Sequence, residues 1–173
     1  MITLVVGGAR SGKSALAERL VTGLVAPVTY VATVLVDGED LDLVARVQAH
    51  RARRPDHWRT VEAGDDLPDV LMGCVGTVLL DSLGPWVAGS LLGDGVDASG
   101  FGVRLCAALG ERTGDTVVVS EEVGFGVHPS SESGRLFRDV LGSLNQAVSA
   151  VADEVYLVVA GRALRLPDLF GPD

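Results

Sequence analysis

The segment GGARSGKS, residues 7–14, stands between the apolar run TLVV (3–6) and a stretch from Lys13 to Leu24 that carries Ala15, Leu16, Leu20, Val21 and Leu24 on one helical side. It fits G-x-x-x-x-G-K-[ST] in the context that gives the pattern meaning, a strand before it and a helix after it. In such a turn the glycines let the backbone wrap a phosphate with its N–H groups pointing inward, and the helix N-terminus adds a favourable positive potential. Gly7, Gly8, Ala9, Arg10, Ser11, Gly12, Lys13 and Ser14 are therefore expected to bind nucleotide. Lys13 should reach the β- and γ-phosphates, and Ser14 should ligate Mg²⁺. Of fourteen basic residues, Lys13 is the one Lys. A chain that otherwise uses the planar Arg fork keeps a compact ammonium at this place.

The rest of the chain continues the alternation. VTYVAT (28–33), WRTVE (58–62), TVLLD (77–81), DTVVVS (115–120) and EVYLVVA (154–160) read as strands. Asp40 to Arg53, Asp66 to Met72, Pro85 to Leu92, Phe101 to Arg112 and Gly134 to Ala152 read as helices, the first ended by Pro55. LGDGVDASG (92–100) and EVGFGVHPSSES (122–133) are Gly- and Pro-punctuated loops. After Gly161-Arg162, ALRL (163–166) returns antiparallel across a hairpin. The strand runs are continuously apolar, as when helices cover both faces of a sheet. The expectation is an α/β fold of P-loop NTPase type (RecA-like): a mostly parallel sheet, helices on both faces, and an antiparallel C-terminal edge strand. At 173 residues, one nucleotide-binding catalytic domain spanning 1–173 is expected.

A formal net charge of -9 argues against a nucleic-acid partner, which needs a broad basic surface. No apolar run reaches the roughly 18 residues of a membrane span. MITLVV runs straight into the Gly-rich turn without a basic leader, so a cytoplasmic location is expected. Cys74 and Cys106 lack metal-ligand spacing and read as buried free thiols. A phosphate loop calls for an acidic partner for Mg²⁺ at a neighbouring strand end, and Asp81 in VLLD has that position. The competing reading of Asp81 is a cap for the next helix. GTP or ATP binding follows from the loop; what is done with the triphosphate does not.

Five of the thirteen Arg (Arg46, Arg51, Arg53, Arg54, Arg59) and two of the three His (His50, His57) fall within RVQAHRARRPDHWRTVE, residues 46–62. Clustered guanidinium groups disfavour a protonated imidazole and so keep His50 neutral. A neutral imidazole is a nucleophile, and Arg forks suit phosphate oxygens. The residues alone leave two readings open: attack by His50 on phosphorus, or a solvated basic helix with His50 half-buried.

GGARSGKS, RVxxHRxxRPxHWRTVE, LLDSLxxWVxxLL (79–92), SEEVGFGVHP (120–129), FRDxxGxxNQ (137–146) and ADEVYLVVAG (152–161), in this order, closely resemble the adenosylcobinamide kinase / adenosylcobinamide-phosphate guanylyltransferase family of cobalamin biosynthesis. The resemblance runs from end to end. It implies a bifunctional enzyme that phosphorylates adenosylcobinamide and then transfers GMP from GTP to adenosylcobinamide phosphate, giving adenosylcobinamide-GDP and pyrophosphate. It implies a guanylylated histidine, His50 by its place in RVxxHRxxRP, with Lys13 as the other catalytic group. Nucleotide contacts would fall on residues 7–14, on Ala32, Thr33 and Val34, on Arg51, Ala52, Arg53 and Arg54, on Glu62 and on Asp81; Mg²⁺ would be held by Ser14 and Asp81. It also implies a homo-oligomer, and a site between subunits suits so large an acceptor. The rival readings are a single-activity kinase or transferase and a non-catalytic GTP-binding switch.

The chain departs from the family pattern in places. Glu121 replaces a usual Asn, His128 a usual apolar residue or Pro, and Pro85 a usual Leu, while the segment at 91–100 is short. His128 reads as a loop residue at the site rim. His57 reads as structural beside Trp58, and Glu122 as a weaker site candidate.

Overall fold

The computed structural model describes residues 1–34, 48, 51–52, 54–92 and 98–168. Among them, strands β1 (Ile2–Gly7), β2 (Val28–Ala32), β3 (Arg59–Glu62), β4 (Thr77–Asp81), β5 (Thr116–Glu121), β6 (Glu154–Val159) and β7 (Arg162–Leu166) form one sheet in the order β3-β2-β4-β5-β1-β6-β7. Every pairing is parallel except β6 with β7. That is the expected α/β sheet with its antiparallel edge. The hairpin closes through Ala160 (φ 51) and Gly161 (φ 75), two successive left-handed residues whose twist matches that of the flanking strands.

The helices are α1 (Lys13–Thr22), α2 (Leu67–Gly73), α3 (Leu83–Leu92), α4 (Ala98–Glu111) and α5 (Glu132–Val151). Alternate strand residues face opposite sides. Val5, Tyr30, Leu79, Val117 and Val119 join Ala17 and Val21 of α1 and Trp58 in one core. Leu4, Val6, Val31, Val78, Leu80 and Val118 join Leu67, Leu83, Leu105, Leu109, Leu141 and Leu144 in the other. Burial on both faces explains the unbroken apolar runs.

Three helix starts differ from expectation by two residues or more. Helix α3 starts at Leu83, with Pro85 in its first turn, where a missing N–H is harmless. Helix α4 starts at Ala98, inside the expected loop, and packs on α2 and α5. Helix α5 starts at Glu132 because the Ser131 hydroxyl accepts a hydrogen bond from Gly134 N at 3.1 Å and caps it. The expected helix from Asp40 to Arg53 lies largely outside the described residues; Gln48, Arg51 and Ala52 within it are helical.

The chain leaves β1 through α1 on one face and leaves β5 through α5 on the other. Adjacent strands that send their connections to opposite faces open a crevice at their carboxyl ends, where α/β sheets bind ligands.

Candidate active site at the carboxyl edge of the sheet

Strand register lines up the expected site residues along one edge. Ala32 pairs with both Glu62 and Asp81, Asp81 pairs with Val119, and Gly7 pairs with Glu121. Four inter-strand steps separate Glu62 from Gly7, about 19 Å at the usual strand spacing.

At one end of this row the Gly-rich turn closes on itself and on the C-terminal hairpin. Ser11 N donates to Gly8 O at 3.3 Å, and Gly161 N donates to Ser11 O at 2.8 Å. Gly12 has φ 99, a conformation that favours glycine. A Cβ on Gly7 would lie 2.6 Å from both Ser11 Oγ and Val158 O, so the tight approach requires glycine. Ser11 Oγ is buried without a hydrogen-bond partner among the described residues. A buried hydroxyl left open in a Gly-rich turn at a helix N-terminus suits a phosphate oxygen.

From the start of α1, Ser14 Oγ donates to Asp81 Oδ1 at 3.4 Å. Asp81 Oδ2 accepts a second bond, from the Tyr30 hydroxyl, at 2.8 Å. So Asp81 faces the turn. A hydroxyl and a carboxylate converging beside the Gly-rich turn are hard oxygen donors of the kind Mg²⁺ takes. Burial first, and the Asp81 carboxylate next, push the Tyr30 phenol far above its ordinary value, so it remains a donor. Over its ring lies Arg54, with Cζ 3.3 Å from the centroid. Arg54 Nε and Nη1 are buried without a partner among the described residues.

Lys13 Nζ lies 3.6 Å from Glu121 Oε1. The same carboxylate accepts from Ser82 Oγ and from Gly84 N, each at 2.8 Å. Glu121 thus anchors the start of α3 and holds Lys13. It links the β4–α3 junction to the first residue of α1.

Residues 3–166 match the family described as cobinamide kinase / cobinamide phosphate guanyltransferase. This chain belongs to that family. It is 37% identical over 183 residues to the bifunctional adenosylcobalamin biosynthesis protein CobU of Escherichia coli, covering 96% of this chain and 99% of that one. It is 40% identical over 170 residues to CobP of Pseudomonas aeruginosa, likewise named a bifunctional adenosylcobalamin biosynthesis protein, covering 96% and 97%. Among solved structures, an ATPase from the type III secretion system of pathogenic bacteria superposes with a TM-score of 0.54 at 13% identity, over 90% of this chain and 50% of that one, a likeness of fold.

The cobinamide kinase motifs can now be placed residue by residue. Arg51 Nη2 pairs with Glu62 Oε1 at 2.9 Å, which ties the end of the Arg cluster to the β3 end of the row. Ala52 is exposed beside it. Thr33 Oγ1 accepts from Ser82 N at 3.1 Å and donates to Ser82 O, so its side chain stitches the β2 and β4 ends together. His50 and Arg53 lie outside the described residues. In the FRDxxGxxNQ motif, Asn145 Nδ2 donates to Glu121 O at 3.0 Å and its Oδ1 accepts from Ser120 Oγ at 2.6 Å, anchoring the β5 end on α5.

Glu122 Oε1 accepts from Gly124 N at 2.6 Å, so it shapes the loop after β5. His128 Nδ1 lies 2.8 Å from Arg138 Nη1 on the exposed surface. His57 is exposed while Trp58 is 8% exposed, so packing at this point is carried by the indole and not by the imidazole.

Tyr30 went unnoticed in the sequence. Its signal was there: a phenol in a buried strand must find a polar partner.

Among the described residues, no helix is long and apolar enough to cross a membrane.

Proposed function

We propose that this chain phosphorylates adenosylcobinamide with a nucleoside triphosphate, then transfers GMP from GTP to the adenosylcobinamide phosphate through a guanylylated His50. The observation that carries this reading is the convergence of Lys13, Ser14, Asp81 and Glu121 at one end of a sheet whose sequence belongs, over nearly its full length, to the cobinamide kinase family.

In the kinase step an acceptor hydroxyl oxygen attacks the γ-phosphorus. The bond from γ-phosphorus to the bridging oxygen breaks, nucleoside diphosphate leaves, and the hydroxyl proton passes to solvent. Lys13 moves from Glu121 to the β- and γ-phosphates and offsets the charge of the transferring group. In the guanylyl step the neutral His50 imidazole attacks the α-phosphorus and pyrophosphate departs. The acceptor phosphate then attacks that phosphorus and frees His50. Dividing the transfer suits covalent catalysis. Ser14 and Asp81 would hold Mg²⁺, which supplies charge neutralisation at the phosphates when bound.

The other nucleotide contacts we assign are residues 7–14, Ala32, Thr33, Val34, Arg51, Ala52, Arg53, Arg54 and Glu62. The carboxyl-edge row supports Gly7, Ala32 and Glu62; the donors of Arg54 that lack a partner among the described residues support an anion there. For a macrocyclic acceptor, a homo-oligomer with the site completed by a neighbouring copy fits best.

The test uses purified protein, Mg²⁺ and GTP labelled on the α- or the γ-phosphate, without acceptor and then with adenosylcobinamide phosphate. Acid-labile, alkali-stable label from the α-position alone, absent in His50→Asn, is expected. Label that survives in His50→Asn would move the nucleophile elsewhere. No α-label under either condition would reduce the chain to a kinase or a switch.

A further inference from the structure

Tyr30 is 3% exposed, in the middle of β2, and belongs to the apolar core on that face of the sheet. A buried hydroxyl there is unfavourable unless it is bonded. Its partner is Asp81, the carboxylate that also receives Ser14, and the two donors take different oxygens: Tyr30 takes Oδ2 and Ser14 takes Oδ1. A carboxylate held at both oxygens cannot swing about its terminal torsion, which is broad when unrestrained. The 2.8 Å phenol bond to an anion is the shorter and stronger of the two. The ring has a second use. Arg54 stacks on its face, and two of that guanidinium's nitrogens are buried with no hydrogen-bond partner among the described residues. Cation–π contact holds a charged group in place without consuming its N–H donors.

We propose that Tyr30 is a positioning residue that joins the two halves of the nucleotide site, its hydroxyl holding Asp81 toward Ser14 for the cation the two would hold, its ring presenting Arg54's open donors to an anionic phosphate oxygen. The proposal rests on the reading of Ser14 and Asp81 given above. It assigns Tyr30 no contact with substrate. Replacing Phe for Tyr should therefore loosen one half and leave the other intact.

The experiment measures Mn²⁺ binding by electron paramagnetic resonance in the presence of GTP, and fluorescent GTP-analogue binding in EDTA, for wild type, Tyr30→Phe, Tyr30→Leu and Asp81→Asn. Affinities are scored on the folded fraction given by far-ultraviolet circular dichroism, so that unfolding does not pass for lost binding. Loss of a hydrogen-bond partner behind a metal ligand typically weakens metal affinity about 10- to 100-fold, and Tyr30→Phe should fall in that range. Its cation-free analogue affinity should match wild type, because ring and Arg54 remain. Tyr30→Leu should lose analogue affinity as well. If Asp81→Asn weakens Mn²⁺ binding and Tyr30→Phe does not, the role of Tyr30 falls while the site reading stands. If neither weakens it, the assignment of Asp81 falls and the proposal falls with it. Equal loss of cation-free affinity in Phe and Leu variants would overturn the division between hydroxyl and ring.

Discussion

Replacing Glu121 with Gln should make nucleotide bind more tightly. In the free protein Lys13 Nζ rests 3.6 Å from Glu121 Oε1, with side-chain exposures of 13% and 26%. At this distance two unit charges attract by about 1 kcal/mol in water and about 4–5 kcal/mol at an effective dielectric constant of ~20. Exposed pairs retain under ~1 kcal/mol of this, and this pair is mostly covered, so a net ~1–2 kcal/mol opposes transfer of Lys13 to a phosphate. The same carboxylate repels the incoming anion. Gln keeps the shape, removes the charge, and retains one oxygen to accept from Ser82 or Gly84. At tenfold per 1.4 kcal/mol, a gain of roughly 5- to 30-fold in GTP affinity is expected. Calorimetric titration with GTP in EDTA reads it. The gain should shrink at high salt, and a large part of it should vanish in a Lys13→Ala background. Weaker binding in Glu121→Gln would refute the reasoning, since Glu121 would then belong to the receptor and not compete with the ligand.

Two other consequences concern stability. Arg112 donates to Leu71 O, Cys74 O, Gly76 O and Thr116 Oγ1, at the amino ends of β4 and β5 and far from the site edge. Arg112→Met strands these acceptors and should cost about 3 kcal/mol, seen as a Tm drop of roughly 6–12 °C with GTP affinity unchanged. Ala160 holds φ 51 in the β6–β7 turn, where Asn before Gly is the favoured pair, so Ala160→Asn should stabilise by about 0.5–1 kcal/mol in a denaturant titration. A neutral or lower midpoint would contradict the turn assignment.

What could be read in the chain directly was local chemistry. TLVV and VTYVAT announced buried strands because both faces of a parallel sheet are covered, and GGARSGKS announced a tight glycine turn between a strand and a helix. Gly161 announced the hairpin. Helix α4 began earlier than the Gly-rich LGDGVDASG suggested, since packing on α2 and α5 outweighs weak local propensity.

Asp81 was legible as a strand-end carboxylate, but not its neighbours: it meets Ser14 across 67 residues and Tyr30 across 51. Apolar periodicity records which residues turn inward. It does not record which strand lies beside which. The order β3-β2-β4-β5-β1-β6-β7 does that, setting Glu121 next to Gly7 and placing Asp81 one strand further along. The partner of the Tyr30 phenol and the resting place of Lys13 are outcomes of that order and of the packing it permits. Their energies come from pairs of groups distant in the chain, which no local pattern encodes.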